Sequence, residues 1–296
     1  MRAITIIIFG FSAFLISTLA GFAAQPVEWG LWHQPAGSEM MAFIEWFDIY
    51  TFWFITPITI FVTLLLLWVM IRYNKKSNPT PSKTTHNTMI EVVWTVAPIM
   101  ILIALAIPSF QLLEEQLAPT EEPTMTVKAI GQQWYWEYEY QDESELSFSS
   151  YMLTEADRAS YGKEDKAKYP RLLVVDNELV VPVGEMIRVL VTADSSGVIH
   201  NWAMPAFGVK MDAIPGRNNE TWFKATKEGL YYGQCSELCG INHAFMPIGI
   251  RVVSRDQFET WQSAASDDLE KAYNALMASV EADKNLKLAQ NQQINQ

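Results

Sequence analysis

Two uncharged runs near the start of the chain limit its possible folds more than any other feature. Phe52–Ile71 holds 20 residues and Val92–Phe110 holds 19, and neither contains Asp, Glu, Lys or Arg. As a helix, each is long enough to cross a hydrocarbon layer about 30 Å thick. Lipid offers no partner to a backbone N–H or C=O, so an isolated span has to be helical. Between the runs lie Arg72, Lys75, Lys76 and Lys83, with no acid before Glu91. Basic short loops stay on the cytoplasmic side, so the hairpin loop is internal and both free ends are external. Acids flank the external ends: Glu45 and Asp48 at the first span, Glu114 and Glu115 at the second. Ahead of both spans, Arg2 precedes an apolar run, Ile4 to Phe22, and then Ala23 and Ala24. That order predicts a secretory signal over residues 1–24, cut after Ala23 or Ala24, rather than a third span. The expected division is then a signal (1–24), a transmembrane hairpin (25–115), an external domain (116–262) and a helical or disordered tail (263–296).

The net charge of −12 is not spread evenly. Five acids and five bases precede Glu114, and 28 acids and 16 bases follow from there to the end. The whole excess therefore lies on the external part. It disfavours nucleic acid and anionic lipid surfaces as partners and favours a basic protein.

Beyond Pro123 the pattern becomes one of short strands. Thr124–Ile130, Gln133–Tyr140, Arg171–Val175, Met186–Thr192, Thr221–Ala225, Leu230–Gln234 and Ile248–Val253 read as strands, with turn signals at 176–177, 195–197, 215–216 and 228–229. Many short strands with regular turns predict a β-sandwich. The polar stretch Thr154–Tyr169 reads as a surface insertion with some helix. Asp256–Lys287 carries helix formers behind Phe258 and Trp261, and Gln290–Gln296 reads as disordered.

The only two cysteines lie in one run, CSELCGINHAFM, at 235–246. Taken singly, the cysteines suggest a disulfide, Met246 core filler and His243 a solvated ring. Together they suggest a metal. A four-residue ring would stabilise little by restricting the unfolded chain, and it leaves His243 and Met246 unexplained. Thiolate, imidazole and thioether are soft ligands suited to copper. A mononuclear blue site needs one Cys, two His and an axial Met, so one cysteine here is surplus. Two thiolates can instead bridge two coppers, with one histidine for each, and His200 is the only other histidine in the C-terminal half.

The run CSELCGINHAFM, with VIHNW at 198–202 and DAIPGR at 212–217, resembles subunit 2 of the haem–copper cytochrome c oxidases, over about residues 42–262. The resemblance implies a cupredoxin-like sandwich behind a two-helix hairpin, with one ligand histidine on an early strand and the other ligands in a loop between two late strands. It implies two copper ions, the CuA centre, held by His200, Cys235, Cys239, His243, Met246 and the main-chain carbonyl of Glu237. The Glu237 carboxylate would bind a magnesium ion shared with the catalytic subunit. The chain itself would hold no haem. Electrons from cytochrome c would pass to haem in subunit 1, where oxygen is reduced and protons are pumped.

Strand alternation puts Trp134, Trp136, Tyr138 and Tyr140 on one side of the 133–140 run and Tyr135, Glu137 and Glu139 on the other. Five acids without a base, from Glu137 to Glu145, should attract a lysine-rich partner. By resemblance, Trp134 receives the electron and Glu139, Asp142, Glu145 and Asp176 border the docking patch. Glu91, three residues before Trp94, stands at the inner edge of the second span. It reads either as a helix-start carboxylate or, by resemblance, as the entrance of a proton path. Two positions depart from the family pattern: Gln132 where a histidine is common, and Gly197 where an acid is common. Three rival readings fit the sequence less well. A quinol oxidase subunit would lack the ligand set. Nitrous oxide reductase is soluble and carries a propeller. A membrane-tethered copper carrier would use few, exposed ligands.

Overall fold

In a computed structural model, residues 24–27, 29–119, 121–141 and 145–294 are described. The expected signal therefore lies outside the described residues except for Ala24, which bridges to Tyr231. Helix α1 spans Glu39–Arg72 and α2 spans Thr88–Leu117. At 1.5 Å per residue these 34- and 30-residue helices exceed the thickness of a hydrocarbon core, so both project beyond it. Each begins with a side-chain cap, Ser38 on Met41 N–H and Asn87 on Ile90 N–H. The apolar run has no stripe because lipid surrounds it, and most of its large side chains are exposed. The Tyr50 hydroxyl ties the pair together by donating to the Ala104 carbonyl.

The upper end of α1 is fastened to the external domain. The Ser38 hydroxyl donates to the Phe207 carbonyl at 2.8 Å, Met41 is buried, and Gly37 N–H donates to the Ala206 carbonyl. A Cβ at Gly208 would come 2.7 Å from the Ile44 side chain, so the contact requires glycine there.

The external domain is a ten-stranded sandwich. One sheet runs β3-β2-β1-β5-β8 and the other β4-β10-β9-β6-β7. The strands are β1 (Met125–Gln132), β2 (Tyr135–Tyr140), β3 (Ser147–Ser150), β4 (Leu179–Pro182), β5 (Met186–Ala193), β6 (His200–Met204), β7 (Val209–Ala213), β8 (Asn219–Lys224), β9 (Gly229–Cys235) and β10 (Pro247–Val253). β1 and β2 alternate buried and half-buried residues, as sheets with one wet face do, whereas β10 is buried throughout. Val127, Ala129, Trp136, Tyr138, Val189, Val191, Trp202, Tyr231 and Ile250 fill the space between the sheets.

Several expectations are corrected. Arg171–Val175 is no strand: Leu172 adopts a left-handed φ of 67°, and only Val175 makes an isolated bridge, to Met152. Its apolar residues are apolar because they plug a second small core, in which Leu173 and Val174 meet Leu153, Tyr169, Leu230 and Tyr232. The 154–169 insertion contains only one 3₁₀ turn, Arg158–Tyr161, and it is not a solvated flap. Arg158 is buried and donates to the Tyr169 and Pro170 carbonyls, and Lys163 is buried among charged partners. Two further helices, α3 (Arg255–Ala265) and α4 (Leu269–Ile294), fold back on the sandwich and bury Phe258, Trp261, Ala272 and Leu276. Helix therefore continues through most of the segment expected to be disordered. α3 starts with a full capping box, Ser254 with Gln257.

Candidate metal centre

The sandwich brings the soft ligands to one end. β9 ends on Cys235, which pairs with Trp202 in β6 two residues after His200, while β10 starts just beyond Met246. The 236–246 loop therefore has both ends clamped by adjacent strands. Its turn requires Gly240, whose φ is +118° and whose missing Cβ would lie 3.0 Å from the Trp134 ring.

The donor atoms form a compact cluster. The Cys235 and Cys239 sulfurs are 3.8 Å apart and both thiols are free. His200 Nδ1 lies 3.9 Å from Cys235 Sγ, and His243 Nδ1 lies 3.5 Å from Cys239 Sγ. Met246 Sδ lies 3.5 Å from Cys239 Sγ, while the Glu237 carbonyl lies 3.3 Å from Cys235 Sγ. The arrangement is nearly two-fold: each sulfur has its own imidazole and one weaker donor. Cys235, Cys239, Met246 and His200 are buried and His243 is half-buried. Among the described histidines, cysteines and acids, His200, Cys235 and Cys239 have ligand atoms all within 4.8 Å of one another. His200 opens β6, in the middle of the strand order rather than on an early strand.

Electrostatics suit neutral imidazole and a protonated resting thiol. Burial, aided by His243, lowers the His200 pKa to about 4, so the ring keeps its lone pair at neutral pH. Burial and the neighbouring Cys235 push Cys239 up to about 12, so its proton leaves only when a cation replaces it. His200 Nε2 is buried without a hydrogen-bond partner.

Two tryptophans brace the loop. Trp136 Nε1–H donates to the Met246 carbonyl at 3.2 Å, and its ring meets His200 edge-on at 6.0 Å. Trp134 Nε1–H donates to the Cys239 carbonyl at 2.9 Å. The two therefore differ in kind. Trp136 is fully buried in β2, whereas Trp134 is half-buried in the turn before it, outside the alternation that appeared to include it. Gly131 leaves the room His200 needs, because a Cβ there would lie 2.7 Å from the imidazole Cδ2. Trp136 could be traced through its period-two position. Gly131 carries no sequence signal, because the contact crosses between the sheets. A Gly131→Ala variant should tilt His200 and lower copper affinity by about 10–100-fold, as loss of ligand-orienting groups does; titration against a copper chelator measures it.

The comparisons with known proteins agree with this geometry. The cytochrome C oxidase subunit II periplasmic domain family matches residues 125–253, and the transmembrane domain family of the same subunit matches residues 26–112. The chain belongs to the cytochrome c oxidase subunit II family. The probable cytochrome c oxidase subunit 2 of Rickettsia bellii is 42% identical over 258 residues, which cover 87% of this chain and 92% of that one. The Cereibacter sphaeroides subunit 2 is 45% identical over 252 residues, covering 81% and 82%. The crystal structure of the periplasmic domain of subunit II from Bradyrhizobium japonicum shares 54% identity, covers 49% of this chain and 95% of that one, and has a TM-score of 0.43. As a subunit II, the chain is part of the cytochrome c oxidase complex, with two transmembrane helices and a periplasmic C-terminal domain.

Other candidate residues of this subunit II are more scattered. Glu139, on the half-buried face of β2, is paired with Lys128 at 3.0 Å. Glu145 is exposed and Asp142 lies outside the described residues. Asp176 faces inward: its carboxylate accepts from Tyr151 N–H at 2.7 Å and from Asn177 N–H at 2.6 Å. Burial raises its pKa although those bonds oppose the shift. Its first role is to hold the 176–178 turn. The Glu237 side chain is exposed. Glu91 is half-buried in the first turn of α2, where Thr95 donates to its carbonyl.

Proposed function

We propose that this chain is the electron-entry subunit of a respiratory terminal oxidase, with a dinuclear copper CuA centre held by His200, Cys235, Cys239, His243, Met246 and the Glu237 carbonyl. The observation that carries the reading is the pairing of donors: two sulfurs at bridging distance, each with its own imidazole. When bound, the copper pair supplies a one-electron couple whose charge is shared over two metals and two sulfurs.

The chain's own residues account for the rest. Strands β6, β9 and β10 hold the ligand loop from both ends and set His200 beside it. The buried sulfurs exclude water, and His200 remains neutral. Reduced cytochrome c docks through Glu139 and Glu145, with Asp142 and Asp176 as further docking acids by family resemblance, and its electron enters at Trp134. One hydrogen bond links that indole to the backbone of Cys239. From this subunit the electron passes to haem in subunit 1, where oxygen is reduced and protons are pumped. The exposed Glu237 carboxylate binds a magnesium ion at the boundary with subunit 1, and Glu91 stands at the entrance of a proton path on the opposite side of the membrane. A membrane-tethered copper carrier fits less well, because five of the six donors come from buried residues or backbone and an acceptor protein could not reach them readily.

The deciding experiment loads the soluble domain, begun at Ala118, with copper. Two coppers per chain, a purple colour and seven hyperfine lines in the electron paramagnetic resonance spectrum are expected; one copper with four lines removes the dinuclear assignment. Docking is tested in the whole oxidase. With the Debye length falling from about 10 Å at 0.1 M to 3 Å at 1 M salt, KM for cytochrome c should rise steeply; a salt-insensitive KM removes the acidic patch.

A further inference from the structure

The segment before α1 makes a detour. Gln25 is tied to the sandwich, its amide donating to the Ala167 carbonyl at 3.1 Å, and Gly37 is tied to it again through the Ala206 carbonyl. Between these points the chain leaves the sandwich and runs down beside α1. Trp32 stands edge-on against Phe52 at 6.2 Å, and His33 pairs with Asp48 at 3.2 Å. The two contacts give the register: moving up the loop from Trp32 to His33 corresponds to moving up α1 from Phe52 to Asp48. From the start of α1 at Glu39 to Phe52 is 13 residues, or about 20 Å of helix. The five residues from Trp32 to Gly37 span at most about 18 Å when extended. The loop is therefore nearly taut, and Trp32 cannot pass below Phe52. Phe52 is the first residue of the uncharged run.

Glu28 lies outside the described residues; the described large side chains of the tip are apolar and bare. Trp29 is 95% exposed and Leu31 97%, with Val27 also exposed. On α1, Trp53 is exposed beside Phe52, and Trp46 is exposed about 9 Å higher up the helix. Tryptophan is thus concentrated around the outer boundary of the span. That is the layer in which an indole, with an apolar body and one N–H, is best placed. No lysine or arginine lies between Ala24 and Ile71.

We propose that Trp29–Trp32 is an interfacial anchor seated among the lipid headgroups and ester carbonyls of the outer leaflet. Trp32 and the His33–Asp48 pair set its depth. The arm fixes the height and tilt of the sandwich above the bilayer by a route separate from the α1 junction at Ser38. The occupant is lipid rather than another polypeptide because Trp32, at the base of the tip, lies against Phe52, where the uncharged run begins, and the short link to Gly37 holds the arm at that depth. The inference does not depend on the copper assignment.

The test puts the photoreactive residue p-benzoylphenylalanine in place of Leu31 in the assembled oxidase, in membranes carrying an alkyne-tagged phosphatidylcholine. Position 53 serves as the lipid-facing control and exposed position 164 as the aqueous control. Illumination should give a tagged lipid adduct at 31 and 53 and none at 164. A cross-link from 31 to another subunit, or no adduct at 31 while 53 reacts, overturns the proposal. A second readout covers failure of that variant to assemble. Quenching of tryptophan fluorescence by lipids brominated near the ester end should be partly lost in Trp29→Phe/Trp32→Phe relative to the parent; equal quenching in both overturns the anchor.

Discussion

Replacing Cys239 by Ser should abolish the dinuclear signature altogether, leave the fold standing and reduce oxidase turnover by at least about 100-fold. Cys239 sits among three of the other donors: Cys235, His243 and Met246 lie within 3.5–3.8 Å of its sulfur. A hydroxyl is harder and shorter, and it does not bridge copper as thiolate does. Loss of a mere orienting group costs 10–100-fold in metal affinity, so loss of a bridging ligand must exceed that. The thiol is buried, but Ser is smaller and the site lies at the end of the sandwich, so the stability change should be small beside the functional one. The expected product binds one copper or none, with the purple absorption gone and an unchanged far-ultraviolet circular dichroism spectrum. Retention of two coppers and seven hyperfine lines would remove Cys239 from the site.

The same residues show what a sequence can disclose. The four-residue steps from Cys235 to Cys239 and on to His243 need no fold to be noticed, and the two apolar runs declare themselves by length. The partner across the sandwich is different. His200 could be named only because the C-terminal half has so few histidines; its place in β6 depends on pairing with β9, which no local pattern records. β6 was not foreseen because it is buried throughout and lacks alternation, and β7 because its alternation, Val209, Met211 and Ala213 against Lys210 and Asp212, lasts only five residues. Trp134 and Trp136 look equivalent by period, and only the turn that sets Trp134 against the Cys239 carbonyl separates them. The 154–169 insertion misled for a related reason. Charged residues ordinarily mark solvated surface, yet two of these point inward to partners that are distant in sequence.

One of the two, Lys163, leads to the largest expected loss of stability. Glu178 accepts from Lys163 at 3.1 Å and from Arg251 at 2.8 Å, and all three side chains are almost completely buried. Lys163 also donates to the Val175 and Asp176 carbonyls, and Tyr273 of α4 stands 3.5 Å from Arg251. The network therefore joins the insertion, β4, β10 and the C-terminal helix. Truncating the carboxylate in Glu178→Ala leaves two cations facing each other without water. Breaking a buried pair from one side costs about 3–5 kcal/mol, which for a domain of this size lowers Tm by roughly 6–20 °C. Removing all three charges together, in Lys163→Met/Glu178→Leu/Arg251→Met, should restore much of that loss, because the penalty comes from the orphaned charges and not from missing volume. The pH dependence follows the same logic. Burial alone would raise the Glu178 pKa, but Arg251 and Lys163 outweigh it and hold the carboxyl down to about 2, against an ordinary 4.5. A carboxylate with a depressed folded pKa contributes its full stabilisation above the unfolded value, and loses it as pH falls toward the folded one. The thermal stability of the copper-free periplasmic domain should therefore fall steadily from about pH 4.5 down to about 2. Glu178→Ala should lack this group's share of that decline. Parallel pH profiles for parent and variant would show that Glu178 is not the anion that ties the insertion to the sandwich.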